Sequence, residues 1–118
     1  MREFDKGATR DDDDDKLDYD GFYHPLVMET FAKYMHKHRV QPDGNLRDSD
    51  NWWKLFGKEH KDVCMKSGFR HFMDWWMVHR GFPSRDGIVE ALCGLIFNAN
   101  AYLLKVILDN LKEKEEQE

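Results

Sequence analysis

The feature that constrains the fold most is an apolar stretch near the C terminus, IVEALCGLIFNANAYLLKVIL. It is much longer than a typical strand, and its apolar residues recur with the period of a helix. Ser84 or Asp86 can cap the start of this helix, which then continues to about Lys112. At 1.5 Å per residue the helix would be roughly 40 Å long. The sequence therefore predicts a fold organised around one long C-terminal helix.

Two further helices are predicted upstream of the long one. The first covers about Pro25–Lys37, where proline suits a first helical turn, and the second covers roughly Lys58–His79. Between them, RVQPDGNLRDSD has the composition of a loop and leads into a short turn that carries Asn51, Trp52 and Trp53. Strand signals are nearly absent. The predicted fold class is all-α, a compact helical bundle.

The 118 residues are enough for one domain with a modest core. Five consecutive aspartates, 11–15, repel one another, so we expect residues 1–17 to form an acidic, mostly solvated arm. Residues 18–112 would form the all-α domain, and residues 113–118 a charged tail.

Charge and hydropathy exclude some partners. The formal net charge is −5 with no basic block, which disfavours nucleic-acid binding because that needs clustered lysine and arginine. No signal peptide opens the sequence, and Cys64 and Cys93 lie in apolar surroundings typical of buried free thiols. We therefore expect a soluble, cytoplasmic protein with no membrane association. Four polar residues interrupt the apolar stretch and argue against a membrane span: Glu90, Asn98, Asn100 and Lys105.

Polar residues form a stripe on each predicted helix, beside its apolar face. A buried carboxylate needs a cation or hydrogen-bond donors to offset its desolvation, and helical bundles commonly bring carboxylates together on a divalent ion. The alternative is that Glu29–Lys33 and Arg70–Asp74 are exposed i,i+4 ion pairs. The stripes are Glu29, Lys33 and His36 on the first helix; Ser67, Arg70, His71 and Asp74 on the second; and Asp86, Glu90, Gly94 and Asn98 on the third.

Four tryptophans occur as two adjacent pairs, Trp52-Trp53 and Trp75-Trp76. A small domain needs large apolar surfaces, so we expect them in the core. An alternative role for one member of each pair is stacking on a nucleobase.

The order of short motifs along the chain resembles a known family. The pattern GATRD … GF..PLV.E..AKY … RDSDNW … KS..RH…W … EAL….FN…YL is similar to the small phage and bacterial dATP/dGTP diphosphohydrolases. These belong to the all-α nucleoside triphosphate pyrophosphohydrolases of the MazG type. The similarity covers roughly residues 7–108, and its most specific pieces are Asp50-Asn51-Trp52 and Arg70-His71.

The resemblance implies a reaction and a set of residues. The reaction would be cleavage of a deoxypurine triphosphate, dATP or dGTP, to monophosphate and pyrophosphate, with Mg²⁺ held by carboxylates and bridging the phosphates. The implied catalytic residues are Glu29, Arg70, His71 and Glu90. The implied substrate-binding residues are Lys33, Asn51, Trp52, Arg70 and Asn98. The expected Mg²⁺ ligands are Glu29, Asp74 and Glu90.

One departure keeps a second function open. Glu29 is followed by Thr30 and Phe31, without the second glutamate of the ExxE element typical of MazG-type enzymes. The alternative is a non-enzymatic helical phage protein, in the host cytoplasm, that binds a nucleotide without cleaving it or inhibits a host protein. Either way, the long helix is apolar on more than one face, which predicts a homodimer or homotetramer.

Overall fold

The computed structural model of the protein describes residues 15–54 and 56–117. By its internal contacts the chain divides into two units, Met1–Thr30 and Phe31–Glu118. Residues 1–14 of the predicted acidic arm lie outside the described residues, so the solvated arm stays a prediction.

The protein is all-α, as predicted. Its helices are α1 (Tyr19–Phe22), α2 (Pro25–Lys37), α3 (Asn51–Lys54), α4 (His60–His79) and α5 (Ile88–Gln117). Within the described residues the only strand-like pairing is a single antiparallel bridge between Val40 and Leu46. The bounds of α2 agree with the sequence prediction, and α4 starts two residues later than predicted. Helix α5 extends beyond the predicted end at Lys112.

Local hydrogen bonds explain where two of these helices begin. The Asp18 carboxylate accepts from the backbone N–H of Gly21 at 3.0 Å and caps α1, a short helix that the sequence did not predict. Ser84 was predicted as a candidate cap of the long helix. Its hydroxyl instead accepts from Gly87 N–H at 2.9 Å and closes the preceding turn, while the Gly87 carbonyl accepts from Ala91 N–H at 3.1 Å.

Helices α4 and α5 pack against each other in antiparallel orientation. The direction follows from two contacts between the helices. Lys61, near the start of α4, meets Asp109, whereas Ser67, further along α4, meets Asn98, which comes earlier in α5. Small side chains at the contact let the two backbones approach closely. The buried residues of the pair are Cys64 and Gly68 on α4, and Ala91, Cys93, Gly94, Asn98 and Ala101 on α5.

Much of the large apolar surface stays exposed. Phe69 of α4 is 56% exposed and Leu103 of α5 is 57% exposed, and Met65, Phe72 and Ile107 are also exposed. Both cysteines are free and buried, as predicted.

By length and composition alone, one helix in the described part of the chain, α5, is long and apolar enough to cross a membrane. Its most apolar window has a mean hydropathy of 1.7 and is 28% buried. The core helix of a soluble protein meets the same criterion, so the absence of a membrane partner stays a prediction.

Candidate functional site

A cleft of about 460 Å³ lies in the second unit. It is enclosed by the C-terminal half of α2, by the loop that follows it, by α3, and by Phe97 of α5. Small-molecule sites usually fall in this size range and combine aromatic walls with a few polar groups. The lining residues are Ala32, Tyr34, Met35, His36, His38, Arg39, Arg47, Asp48, Ser49, Asn51, Trp52 and Phe97.

The aromatic wall of the cleft is built on α3 and α5. Trp52 meets the ring of Phe97 edge-on, with ring centroids 5.7 Å apart, and lies 6.3 Å from Phe56 on its other side. Trp52 is neither fully buried nor fully exposed, so part of its surface faces the cleft. It is the tryptophan that partly meets the expectation of core packing. Trp53, Trp75 and Trp76 are exposed, so that expectation is wrong for them.

A further part of the cleft lining comes from the loop between α2 and α3, which folds as a small hairpin. Arg39 and Arg47 are paired by their backbones, with Arg47 N–H donating to the Arg39 carbonyl at 2.8 Å. At the tip, Gly44 adopts a φ of 88°, a conformation that favours glycine, and its N–H donates to the Gln41 carbonyl. The hairpin thus places two arginines side by side at the cleft.

Tyr34 connects the cleft with a carboxylate on α5. Its ring lines the cleft, and burial raises the pKa of the Tyr34 hydroxyl, which the nearby Glu90 carboxylate raises further. Glu90 itself is ion-paired with Lys37 of α2, whose ammonium also lies 5.7 Å from the Tyr34 ring centroid. Glu90 is partly buried and does not itself line the cleft, but its charge acts on Tyr34, which does.

A second polar group lies where α4 ends and α5 begins. The Asp74 carboxylate accepts from Arg85 Nε at 2.9 Å, and Asp86 lies 3.8 Å from the same nitrogen. Asp74 keeps only 14% of its side-chain surface exposed, so its charge depends on Arg85 for compensation. Asp74 therefore pairs across the interhelical turn with Arg85.

His71 lies under this group, in close contact with α5. A Cβ atom on Gly94 would lie 2.4 to 2.5 Å from three atoms of the imidazole, so the ring occupies the space that the missing side chain leaves. Among the described residues the buried Nδ1 atom has no hydrogen-bond partner. Burial lowers the pKa of His71, the Arg85 guanidinium lowers it further, and Asp74 and Asp86 act in the opposite direction. The ring is therefore held neutral at the helix contact.

Acidification should destabilise the protein through His71. Because its pKa is lower in the folded chain, the unfolded chain binds the proton more readily. The contribution of His71 to stability is fully present above the ordinary histidine pKa of about 6.5. It is lost as the pH falls from there through the lowered pKa of the folded state. Burial lowers the pKa of His60 as well, which adds to the loss. The measurement is the melting temperature between pH 8 and pH 5.

The variant His71→Gln should lose less of its melting temperature over this range than the wild type. His79→Gln, at an exposed position of the same helix, is the matched control and should show the wild-type loss. Equal losses in all three proteins would contradict the assignment to His71.

The residues predicted from sequence occupy four environments. Asn51 and Trp52 line the cleft, and His71 and Asp74 lie at the α4–α5 turn. The Asn98 amide is buried in the helix pair, where it donates to the Gly94 carbonyl at 2.7 Å and to the Ser67 hydroxyl at 3.3 Å. Lys33 and Arg70 are exposed on α2 and α4.

The predicted Mg²⁺ ligands do not all lie in one unit. Glu29 belongs to the first unit, whereas Asp74 and Glu90 belong to the second. Across the described parts of the chain, no group of three histidine, cysteine, aspartate or glutamate side chains is placed to hold a metal ion. Asp74 and Glu90 are each paired with a basic side chain. The shared three-acid site therefore stays a prediction.

No family model matches this chain, and no curated protein or solved structure is significantly similar to it.

The sequence prediction missed the two arginines of the cleft. Arg39 and Arg47 stand on either side of a Pro-Asp-Gly turn in HRVQPDGNLR, and a turn brings the residues that flank it together. That symmetric placement is the signal that could have found them. Instead, the segment was interpreted as a connecting loop.

Proposed function

We propose that this protein is a Mg²⁺-dependent nucleotide pyrophosphohydrolase that cleaves dATP or dGTP to the monophosphate and pyrophosphate. The observation that carries the proposal is the cleft, which is lined by the Asn51-Trp52 element, two arginines and Tyr34, a side chain on which the charge of Glu90 acts. A site for a nucleoside triphosphate requires a surface on which the base stacks, cations for the phosphates, and a carboxylate for Mg²⁺. The motif order shared with the dATP/dGTP diphosphohydrolases gives the same reaction.

Each part of the nucleotide has a counterpart in the cleft. Trp52 and Phe97 offer flat apolar surfaces against which a purine stacks, and the Asn51 amide offers both a donor and an acceptor to its edge. Cleavage adds water across the anhydride bond between the α- and β-phosphates, so that pyrophosphate leaves. Glu90, beside the cleft, is the carboxylate available to accept a proton from that water.

The carboxylates predicted as ligands fit Mg²⁺ in their chemistry. Mg²⁺ prefers oxygen ligands and is usually held by one or two carboxylates together with substrate phosphates, without a complete protein cage. Glu90 and Asp74 would supply those oxygens in the second unit, and Glu29 is proposed as a further ligand. When bound, Mg²⁺ would neutralise phosphate charge and lower the pKa of the attacking water.

The test of the proposal is an assay with each of the four deoxynucleoside triphosphates and Mg²⁺. We expect dATP and dGTP to yield the monophosphate and pyrophosphate, seen as separate phosphorus resonances by ³¹P NMR. Release of inorganic phosphate and a diphosphate would indicate a different bond cleavage. No product from any of the four would overturn the proposal.

One observation favours the alternative, a protein that binds a nucleotide without cleaving it. Glu90 and Asp74 are already neutralised by Lys37 and Arg85, as expected if these acids are structural. Calorimetric titration with dATP in the presence of a chelator would then show binding, while the Mg²⁺ assay shows no product. The same pair of measurements separates this function from the enzymatic one.

We also propose that the protein is a homodimer or homotetramer. An apolar groove of about 520 Å³ runs between α4 and α5, beside the exposed side chains of Phe69 and Leu103. Monomeric proteins rarely leave so much contiguous apolar surface in water. Sedimentation at micromolar concentration should give a dimer or tetramer, and Phe69→Glu should shift it towards monomer. Val63→Glu, at an equally exposed position outside the groove, should not.

A further inference from the structure

Arg39 and Arg47 are two cations of the second unit that no acid neutralises in the part of the chain that the structure describes. Several other basic side chains of the second unit are ion-paired: Lys37 with Glu90, Lys61 with Asp109, and Arg85 with Asp74. Within the described residues, neither cleft arginine forms an ion pair. A protein with a net charge of −5 that keeps two unpaired guanidinium groups in one cleft has a strong local preference for anions.

The hairpin holds Arg39 rigidly. Its Nε atom donates to the Arg47 carbonyl at 2.8 Å, while the Arg39 carbonyl accepts from Arg47 N–H at the same distance. The Val40–Leu46 bridge and the turn at Gly44 close the other end. Because Nε is already used and Nη1 contacts His36, Nη2 and the second hydrogen of Nη1 remain for a ligand. Little side-chain entropy is therefore lost when a ligand binds.

His36 extends the donor set of this wall. Arg39 Nη1 lies 3.4 Å from His36 Nδ1, and because a guanidinium can only donate, a hydrogen bond here requires the His36 tautomer with a free Nδ1. The ring proton of neutral His36 is then on Nε2, where it can be donated. Among the described residues that line the cleft, Asp48 is the single carboxylate, against two guanidinium groups.

We propose that Arg39 and Arg47 form a clamp for the polyphosphate chain of the ligand. Planar guanidinium groups match the geometry of phosphate oxygens and can bind them through two parallel hydrogen bonds. The aromatic wall, Trp52 and Phe97, is suited to the base. The clamp thus gives phosphate binding to Arg39 and Arg47, whereas the family resemblance implied Lys33 and Arg70 as substrate-binding residues. It rests on the proposed function for the identity of the nucleotide, whereas the clamp itself recognises any linear polyphosphate.

The test is calorimetric titration of the full chain with inorganic tripolyphosphate in the presence of a chelator, so that neither base nor metal contributes. Arg47→Ala should weaken the affinity about tenfold or more, because a hydrogen bond to a charged group contributes about 1.5–3 kcal/mol. This variant keeps the backbone carbonyl that holds Arg39. Arg47→Lys keeps the charge but loses the planar fork, and should fall between the alanine variant and the wild type.

Arg80→Ala is the matched control, because Arg80 is exposed at the end of α4 and does not line the cleft. It should bind tripolyphosphate like the wild type, and circular dichroism should show unchanged helix content in all three variants. No binding by the wild type, an unchanged affinity in Arg47→Ala, or an equal loss in Arg80→Ala would each overturn the clamp.

The nucleotide assay separates this inference from the proposed function. If the arginines bind tripolyphosphate but no deoxynucleotide is cleaved with Mg²⁺, the proposed function fails and the clamp stands. If dATP or dGTP is cleaved and Arg47→Ala leaves KM unchanged, the clamp fails and the proposed function stands.

Discussion

Replacing Gly94 with alanine should lower the free energy of unfolding by about 1–3 kcal/mol, the usual cost of overfilling a packed contact. The added Cβ atom would lie 2.4 to 2.5 Å from three atoms of the His71 ring, closer than any van der Waals contact allows. Either the ring leaves its position or α4 and α5 separate. Chemical denaturation followed by circular dichroism measures the loss.

Gly68→Ala is the matched control on the facing helix. A Cβ there would lie 3.4 Å from the Asn98 Cβ, which is an ordinary contact. Both substitutions gain helix propensity, worth up to about 1 kcal/mol relative to glycine. Gly68→Ala should therefore be neutral or stabilising, and the difference between the two variants isolates the clash. Equal effects would show that the His71 ring does not occupy this position.

A double-mutant cycle assigns the effect to the pair. In a His71→Ala background the obstacle is gone, so Gly94→Ala should then cost much less than it does in the wild type. Additive losses would mean that Gly94 acts through the backbone and not through His71.

The helices could be predicted because they depend on local sequence. Pro25 at a first turn, the end of α4 at His79 and the apolar period of α5 all lie within the segments they organise. The four-residue α1 was missed, since a capping Asp18 and a single turn carry too little periodicity to be recognised.

The contacts at the candidate site could be predicted only in part, because they join distant positions. Neither helix period nor charge pattern indicates that Lys37 meets Glu90 or that Asp74 meets Arg85. Both acids were found from sequence as polar residues beside apolar ones, but their partners were not. Asn51 and Trp52 were found through a motif resemblance, and the structure places them in the cleft. Identifying residues was therefore easier than identifying which of them meet.

On the proposed function, replacing Glu90 with glutamine should reduce the hydrolysis of dATP or dGTP by about 100-fold or more, the usual scale for loss of a catalytic acid or base. The substitution keeps the shape of the side chain and removes its charge. One carboxylate oxygen lies on Lys37, so the other is the atom available to water or Mg²⁺. The expected readout is a loss of kcat with the helix content unchanged.

Stability should change little in Glu90→Gln. Lys37 keeps 53% of its side-chain surface in solvent, so its ammonium can be hydrated when the partner charge is lost. Exposed ion pairs contribute at most about 1 kcal/mol. A loss of activity in Glu90→Gln therefore would not reflect unfolding.

Two further variants decide what Glu90 does. Asp109→Asn also removes a lysine-paired acid from α5, since Asp109 pairs with Lys61 and Lys105, and it should leave activity unchanged. Lys37→Met breaks the ion pair but keeps the Glu90 carboxylate, so it should retain most of the activity. If Lys37→Met loses as much activity as Glu90→Gln, Glu90 acts only by holding α2 against α5. If Glu90→Gln stays fully active, the carboxylate has no part in catalysis, and a nucleotide-binding protein without hydrolysis becomes the better account of the cleft.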